Sequence, residues 1–273
     1  MCASPKKIIS IALITLVFMV GVGAFFQKQL QPFYFYDKYP SEARVEKVID
    51  GDTIVLEGGE KVRYLGINAP EIRRWEGNRW TPKKQIFGEE ATSYNQKLVE
   101  RKKVKLEYDL KKRDNYNRVL AYIWIDGIFV NGELLKNGLA LVDVRAPNVK
   151  HQKMFLDLQR EARDFHRGIW GTIKDYTFSD QEAFKLIGEL GGVQGKIICV
   201  NSGRERVYLH FGKNWEKDFT GIIYEENLKN FPLKNKHVNS YFLGRKVKIY
   251  GFVRNDDGPA IIISAPSQVD ILD

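Results

Sequence analysis

Apolar and polar positions alternate with a period of two along much of the chain from residue 43 onward, the pattern of half-buried strands. ARVEKVI (43–49) and TIVLE (53–57) flank the turn Asp50-Gly51-Asp52. Gly58-Gly59 gives a hairpin signal ahead of KVRYLGI (61–67), so three short strands in meander order are expected. KVKLEYDL (103–110) and RVLAYIWIDG (118–127) predict two more, the second turning at Asp126-Gly127 into IFVN. Between the strands the period changes to that of a helix. Residues 88–101 place Ala91, Tyr94 and Leu98 on one face, and 131–138 read as a short helix ended by Gly138. Residues 151–166 set Met154, Phe155, Leu158, Ala162 and Phe165 at three-to-four spacing, an amphipathic helix suited to covering one opening of a barrel.

Five short strands with helices at this density predict a fold that is mainly β with helices, built on a five-stranded OB-fold barrel over 43–171. Residues 172–192 read as a linker with a short helix. VQGKIICV, RVYLHFG, FTGIIY, KVKIYGFV and PAIIIS then predict a second small β-barrel over 193–273, OB-like, with an SH3-like barrel or a sandwich fragment as alternatives.

One stretch departs from both periods. Residues 8–26, IISIALITLVFMVGVGAFF, carry no charge and follow Lys6 and Lys7. A helix of that length spans about 28 Å, close to the hydrocarbon thickness of a bilayer. Two readings stay open over 1–26. One is a signal anchor leaving the rest of the chain outside the cytoplasm, at the cell membrane. The other is a signal peptide cleaved after the small residues Val22-Gly23-Ala24, giving a secreted protein. The anchor is preferred because the apolar run is long for a secretory segment. The aromatic stretch 27–42 links it to the first barrel.

Composition adds the sign of the partner. The chain has 273 residues, 44% of them hydrophobic and 28% charged, with 43 basic against 34 acidic side chains and a net charge of +9. That balance favours polyanions or an acidic membrane surface, although many basic proteins use such charge only for solubility. The two cysteines, Cys2 and Cys199, lie in different regions and exclude a cysteine-based metal site.

Candidate chemistry gathers in the first barrel. Asp50 and Asp52, at i and i+2, repel unless a cation or hydrogen bonds compensate. The bland alternative is a turn whose carboxylates cap backbone amides. Arg63 on a strand, Asn68 and Glu71 just past its end, and Arg118 after a polar turn are each ordinary when taken singly.

Together these blocks resemble the staphylococcal nuclease (thermonuclease) family. The resemblance runs through VIDGDTIVL (48–56), VRYLGINAPE (62–71), GEEAT (88–92), DNYNRVLAYIWIDG (114–127) and VNGELLKNGLALV (130–142), out to RGIW (167–170). It implies calcium-dependent hydrolysis of phosphodiester bonds in DNA and/or RNA with low sequence specificity. It also implies roles. Asp52, Asn68 and the Ala69 carbonyl would hold Ca²⁺, with Asp50 behind them. Arg63 and Arg118 would grip the scissile phosphate, and Glu71 would act as general base or orient the attacking water. The sequence departs from the family at Asn68, where an aspartate is usual, and at Asn117, where glycine is usual. Losing a carboxylate is expected to weaken the hold on calcium, while asparagine tolerates a positive φ.

Around that site, nine basic and four acidic residues between Lys97 and Arg118 favour phosphate contact. Trp75 and Trp80, and in the second barrel Tyr208, Phe211, Trp215 and Phe219, are candidate stacking surfaces for single-stranded or unstructured DNA or RNA, with core packing as the alternative. His210 has no metal-ligand partners in sequence. No specific protein partner follows from the sequence. Two rival readings remain: a nucleic-acid-binding protein whose site has weakened at Asn68, and an envelope scaffold or protein-interaction factor.

Overall fold

The computed structural model describes residues 39–76, 79–82, 85–214, 216–233 and 237–273. The apolar segment 8–26, most of the 27–42 linker, and Trp215 lie outside the described residues. Among the described residues no helix is long and apolar enough to cross a membrane. Ser41–Asp273 form one compact unit.

The first sheet consists of β1 (Glu42–Asp50), β2 (Thr53–Leu56) and β3 (Lys61–Tyr64), which continues past Leu65 as β4 (Gly66–Asn68). Next come the hairpin strands β5 (Arg73–Glu76) and β6 (Arg79–Pro82), then helix α1 (Gly88–Val99), β7 (Lys103–Glu107), β8 (Val119–Ile125) and β9 (Ile128–Phe129). Strand order is β3-β2-β1-β7-β8-β9, and β3 also pairs in parallel with β8. That pairing closes β1, β2, β3, β8 and β7 into the expected five-stranded barrel of OB type. Helix α2 (Val130–Lys136), β10 (Leu141–Asp143), helix α3 (Gln152–Asp164) and the short α4 (Ile169–Thr172) complete this half.

The barrel interior is filled by alternating strand residues such as Val45, Ile54, Val62, Leu106, Ala121 and Ile123, all nearly inaccessible to solvent. Tyr64 is buried with them, and its hydroxyl donates to Asn95 Oδ1 of α1 (2.9 Å). Gly66 breaks the β3–β4 strand with φ +76°, and a Cβ there would lie 2.4 Å from the Phe155 ring. Glycine is needed on both counts. Phe155 stacks on Phe129 at 5.5 Å, and full burial of such a ring stabilises by roughly 1.5–3 kcal/mol.

Both long helices turn inward much of the face their apolar residues predict, with Tyr94, Leu98 and Leu158 partly buried against the core, but the buried stripe is shifted toward polar neighbours. In α3 the buried set is Gln152, Phe155, Gln159 and Ala162, while Met154 and Phe165 are exposed. In α1 it is Gly88, Ala91, Thr92, Asn95 and Val99. Buried amides account for the shift. Gln159 Oε1 accepts from Val142 N (2.7 Å), its Nε2 donates to Ser267 Oγ (2.7 Å), and Asn95 Nδ2 donates to the Asp50 carbonyl (3.1 Å).

The expected second barrel is not closed. The C-terminal elements are β11 (Thr177–Ser179), β12 (Leu190–Lys196), β13 (Cys199–Ser202), β14 (Arg206–His210), β15 (Thr220–Tyr224), the short helices α5 (Glu225–Leu228) and α6 (Val238–Phe242), β16 (Lys246–Asn255), β17 (Pro259–Ile262) and β18 (Val269–Ile271). They form an open path, β11-β12-β16-β17-β15-β14-β13, with β18 also on β16 and with no pairing between the end strands β11 and β13. Residues 172–192 contain the expected short helix, a 3-10 turn over Asp180–Leu186, and also a strand, since β11 pairs in parallel with β12 across Thr177 and Gly192. Phe211 and Phe219 are buried core residues in edge-to-face contact at 4.9 Å, which removes them as stacking platforms. His210 bonds Thr220 Oγ1 through Nδ1 (3.2 Å), a structural arrangement.

The C-terminal sheet sits directly on the barrel half. Leu141, Ala162, Ile169 and Trp170 pack with Leu190 and Tyr250 in a shared apolar cluster. Arg163 of α3 bonds Asp270 of β18 and the Ser267 carbonyl, and Gln152 Nε2 donates to Asn227 Oδ1 (3.0 Å).

Candidate active site

Asp50-Gly51-Asp52 is the turn between β1 and β2. A Cβ on Gly51 would stand 2.6 Å from Ala69 Cβ and 2.8 Å from Ala91 Cβ, so only glycine lets this turn press against the end of β4. The close approach sets Asp52 beside Ala69, whose N–H donates to Asp52 Oδ2 (2.6 Å). Thr53 Oγ1 donates to Asp52 Oδ1 (3.1 Å), and Asp50 Oδ1 accepts from Asp52 N (3.0 Å). Asp50 thus shapes the turn from behind, while Asp52 is buried at 4% exposure and faces β4.

Arg63 lies opposite Thr53 in the β2–β3 register. It is held rigidly, with Nη1 donating to the carbonyls of Tyr64 (3.0 Å) and Ile67 (2.8 Å) and lying 3.0 Å from Asp52 Oδ2. Its Nη2 donates to Asn68 Oδ1 (2.8 Å), so the side-chain oxygen at the departure from the family is already in use by Arg63. Arg118 enters from the start of β8. Its Nε donates to Asp114 Oδ2 (2.7 Å), and its N–H and that of Tyr116 donate to Asp114 Oδ1. The turn needs φ +64° at Asn117, a left-handed conformation that asparagine accepts more readily than most residues.

Glu71 follows Pro70 and opens to solvent. Its backbone is clamped by Gln85, which accepts from Glu71 N through Oε1 (2.7 Å) and donates its own N–H to the Glu71 carbonyl (2.9 Å). The side chain of Gln85 also reaches the C-terminal half, with Nε2 donating to the Gly188 carbonyl (2.7 Å).

The electrostatics unite these groups. Burial, and then the charge of Asp50 working against that of Arg63, leave the Asp52 carboxyl raised to about 7. Asp50 is raised by burial and by Glu71. Glu71 is raised to about 7 by the protein packed around it and by Asp52, although its side chain still meets water, while Arg63 and Arg118 pull it down. Burial leads all three shifts and the carboxyls raise one another further, a repulsion that a nearby cation relieves.

No group of three or more His, Cys, Asp or Glu side chains is arranged to hold a metal among the described residues. The donors on hand are the Asp52 carboxylate, the Asn68 amide oxygen and the Ala69 carbonyl. All are hard oxygens, so the set fits a hard divalent cation with water completing its shell.

The structure thus brings Asp52, Arg63, Asn68, Ala69 and Glu71 together at one rim of the barrel, with the charge of Arg118 felt there. Sequence reasoning missed Gln85 and Asn95. Both are amides in segments read for their apolar or basic residues, and only their contacts reveal them. The hairpin β5–β6 pairs Trp75 with Trp80 along the backbone, and the stacking proposed for their side chains lies outside the described residues.

A closed five-stranded barrel with carboxylates and guanidiniums at its rim defines a protein of OB type. Comparison with known proteins narrows the class. Residues 61–172 match the family model of the staphylococcal nuclease homologues. A thermonuclease of Staphylococcus intermedius is 33% identical over 168 residues, covering 60% of this chain and 94% of that protein. A thermonuclease of Staphylococcus hyicus is 35% identical over 130 residues, covering 46% of this chain and 74% of that protein. The endonuclease YncB of Bacillus subtilis (strain 168) is 40% identical over 131 residues, covering 46% of this chain and 60% of that protein. The chain belongs to the staphylococcal nuclease homologues. Family membership carries nuclease-type hydrolysis at the level of the family.

Proposed function

We propose that the chain is a cation-dependent nuclease that hydrolyses phosphodiester bonds of DNA and/or RNA with little sequence specificity. Calcium is the cation implied by the resemblance. The observation that supports this reading best is the convergence of Asp52, Arg63 and Glu71 on one rim, with Arg63 immobilised by two backbone carbonyls.

In this reading Asp52, Asn68 and the Ala69 carbonyl hold the cation, and Asp50 supports the turn behind Asp52. When bound, the cation neutralises phosphate charge and lowers the cost of building more of it. Arg63 and Arg118 donate to the phosphate oxygens, where charge grows in the transition state. Because Arg63 is held from behind by Tyr64 and Ile67, it does not have to be ordered when substrate arrives. Glu71, with its backbone fixed by Gln85 and its carboxylate open to the cleft, orients the attacking water and accepts its proton. The substrate is a single-stranded or unstructured segment, whose phosphates the basic surface between Lys97 and Arg118 attracts. The uncharged run 8–26 after Lys6 and Lys7 supports presentation outside the cytoplasm on a membrane anchor.

The test is digestion of end-labelled single-stranded DNA and RNA by the full chain across a calcium titration. Metal-dependent cleavage is expected, with Glu71→Gln lowering kcat by about 10²–10⁴-fold. Binding of both polymers without cleavage at any calcium concentration would replace this reading with that of a binding protein.

A further inference from the structure

The cleft in front of Glu71 has a second wall that does not come from the nuclease family's part of the chain. A crevice of about 380 Å³ is lined by Asn68, Ala69 and Glu71 on one side and by Gly188, Phe252 and Arg254 on the other. The family match ends at residue 172, and Arg254 stands near the end of β16. A smaller adjoining crevice again has Asn68 on one side and Phe252 and Arg254 on the other. Arg254 therefore borders the candidate active site along both parts of the seam between barrel and C-terminal sheet.

Arg254 differs from the other arginines of this region. Arg63 is anchored by Asp52 and Asn68, Arg118 by Asp114, and Arg145, further along the seam, by Asp143. Arg254 is exposed; its backbone pairs with Ala260 of β17, but its guanidinium has no hydrogen bond or ion pair among the described residues. Its strand is nevertheless fixed. Tyr250, four residues earlier, is buried against Trp170 and donates to Asp270, and the Gly188 carbonyl is tied to Gln85 and through it to the backbone of Glu71. An unpaired guanidinium on a rigid strand, beside a carboxylate–cation site, is placed to receive an anion. Ile187 and half-buried Phe252 give the same crevice an apolar side. At Arg145 the seam becomes mixed in charge, with Arg204 beside Glu205, Glu225 and Glu226 around the next hollow.

We propose that Arg254 forms a flanking subsite for the substrate strand. Its guanidinium takes the phosphate next to the scissile one, and Ile187 and Phe252 take the attached sugar and base. The subsite rests on the nuclease reading for its orientation but can be tested apart from it. The C-terminal sheet thereby becomes part of the binding cleft rather than an appendage.

The experiment measures binding of a fluorescein-labelled single-stranded dodecathymidylate to the full chain. It is done in a Glu71→Gln background with calcium present, over a range of salt concentrations. Arg254→Ala is expected to weaken binding on the order of tenfold and to flatten the dependence of log affinity on log salt by about 0.7, the value for one phosphate of a single strand. Arg254→Lys, which keeps the charge, is expected to retain the slope. An Arg254→Ala protein with the affinity and slope of its parent overturns the subsite, as does a parent that binds no strand. If the chain with Glu71 intact cleaves nothing yet Arg254→Ala flattens the slope, the subsite stands and the catalytic reading falls. Cleavage together with an unaltered slope gives the reverse.

Discussion

Asn68 shows how much one atom can decide at the residue scale. Its side-chain oxygen accepts from Arg63 Nη2 at 2.8 Å, so the arginine is positioned without a carboxylate being added to those of Asp50 and Asp52. Asn68→Asp is expected to keep that contact as an ion pair and to add a negative ligand. The calcium concentration for half-maximal cleavage should then fall on the order of tenfold. A midpoint that stays put or rises would show that Arg63 consumes whatever charge is added. Asp52, Arg63, Glu71 and Arg118 could be singled out in the sequence only through the resemblance of their blocks, along β1–β4 and β8, to a known family. Their supports could not. Nothing in the string ties Glu71 to Gln85, or Arg63 to the carbonyl of Ile67, since these contacts exist only once the turn after Gly66 brings the chain back on itself.

At the scale of elements, apolar periodicity located the strands, both long helices and most of their buried faces, but it included Met154 and Phe165, which are exposed, and passed over buried polar positions. The reason is that buried amides carry part of each interface. Gln159 serves two masters, β10 through Val142 N and the C-terminal sheet through Ser267. Gln159→Leu fits the apolar count yet leaves the Val142 N–H buried without an acceptor. It is expected to destabilise by roughly 1–3 kcal/mol, read from the midpoint of urea unfolding; a neutral or stabilising result would mean that another acceptor or water takes over. The closed second barrel failed for a related reason. Alternation specifies strands with one buried face, and it is silent on whether the first and last of them meet. Here β11 and β13 end as separate edges.

At the scale of the whole molecule, the sequence suggested two domains joined by a linker, and the structure shows how extensively the two halves are joined. Trp170, Leu141 and Ile169 from one half are buried with Leu190 and Tyr250 from the other, and Arg163 crosses the seam to Asp270. An apolar interface of this kind couples the stabilities of its two sides. Residues from 41 to 273 are therefore expected to unfold in a single calorimetric transition, with calorimetric and van't Hoff enthalpies equal. Two resolved transitions in the full chain would contradict the coupling. Contacts such as Arg163–Asp270, more than 100 residues apart, leave no local trace in composition, which is why 172–192 reads as a linker with a short helix.

The parallel pairing of β3 with β8 also governs the order of events as the chain folds. It joins Val62–Tyr64 to Val119–Ala121 across a long intervening segment, whereas β1, β2 and β3 are joined by short turns. Hairpins form within microseconds, but a distant parallel contact must first meet the entropy of closing a large loop. Arg63 rides on β3 and Arg118 at the start of β8, so the two guanidiniums come into register only at that late closure. A nascent or partly unfolded chain carries every residue of the site without the site itself, and a protein that attacks nucleic acid would acquire that capacity only with its finished topology.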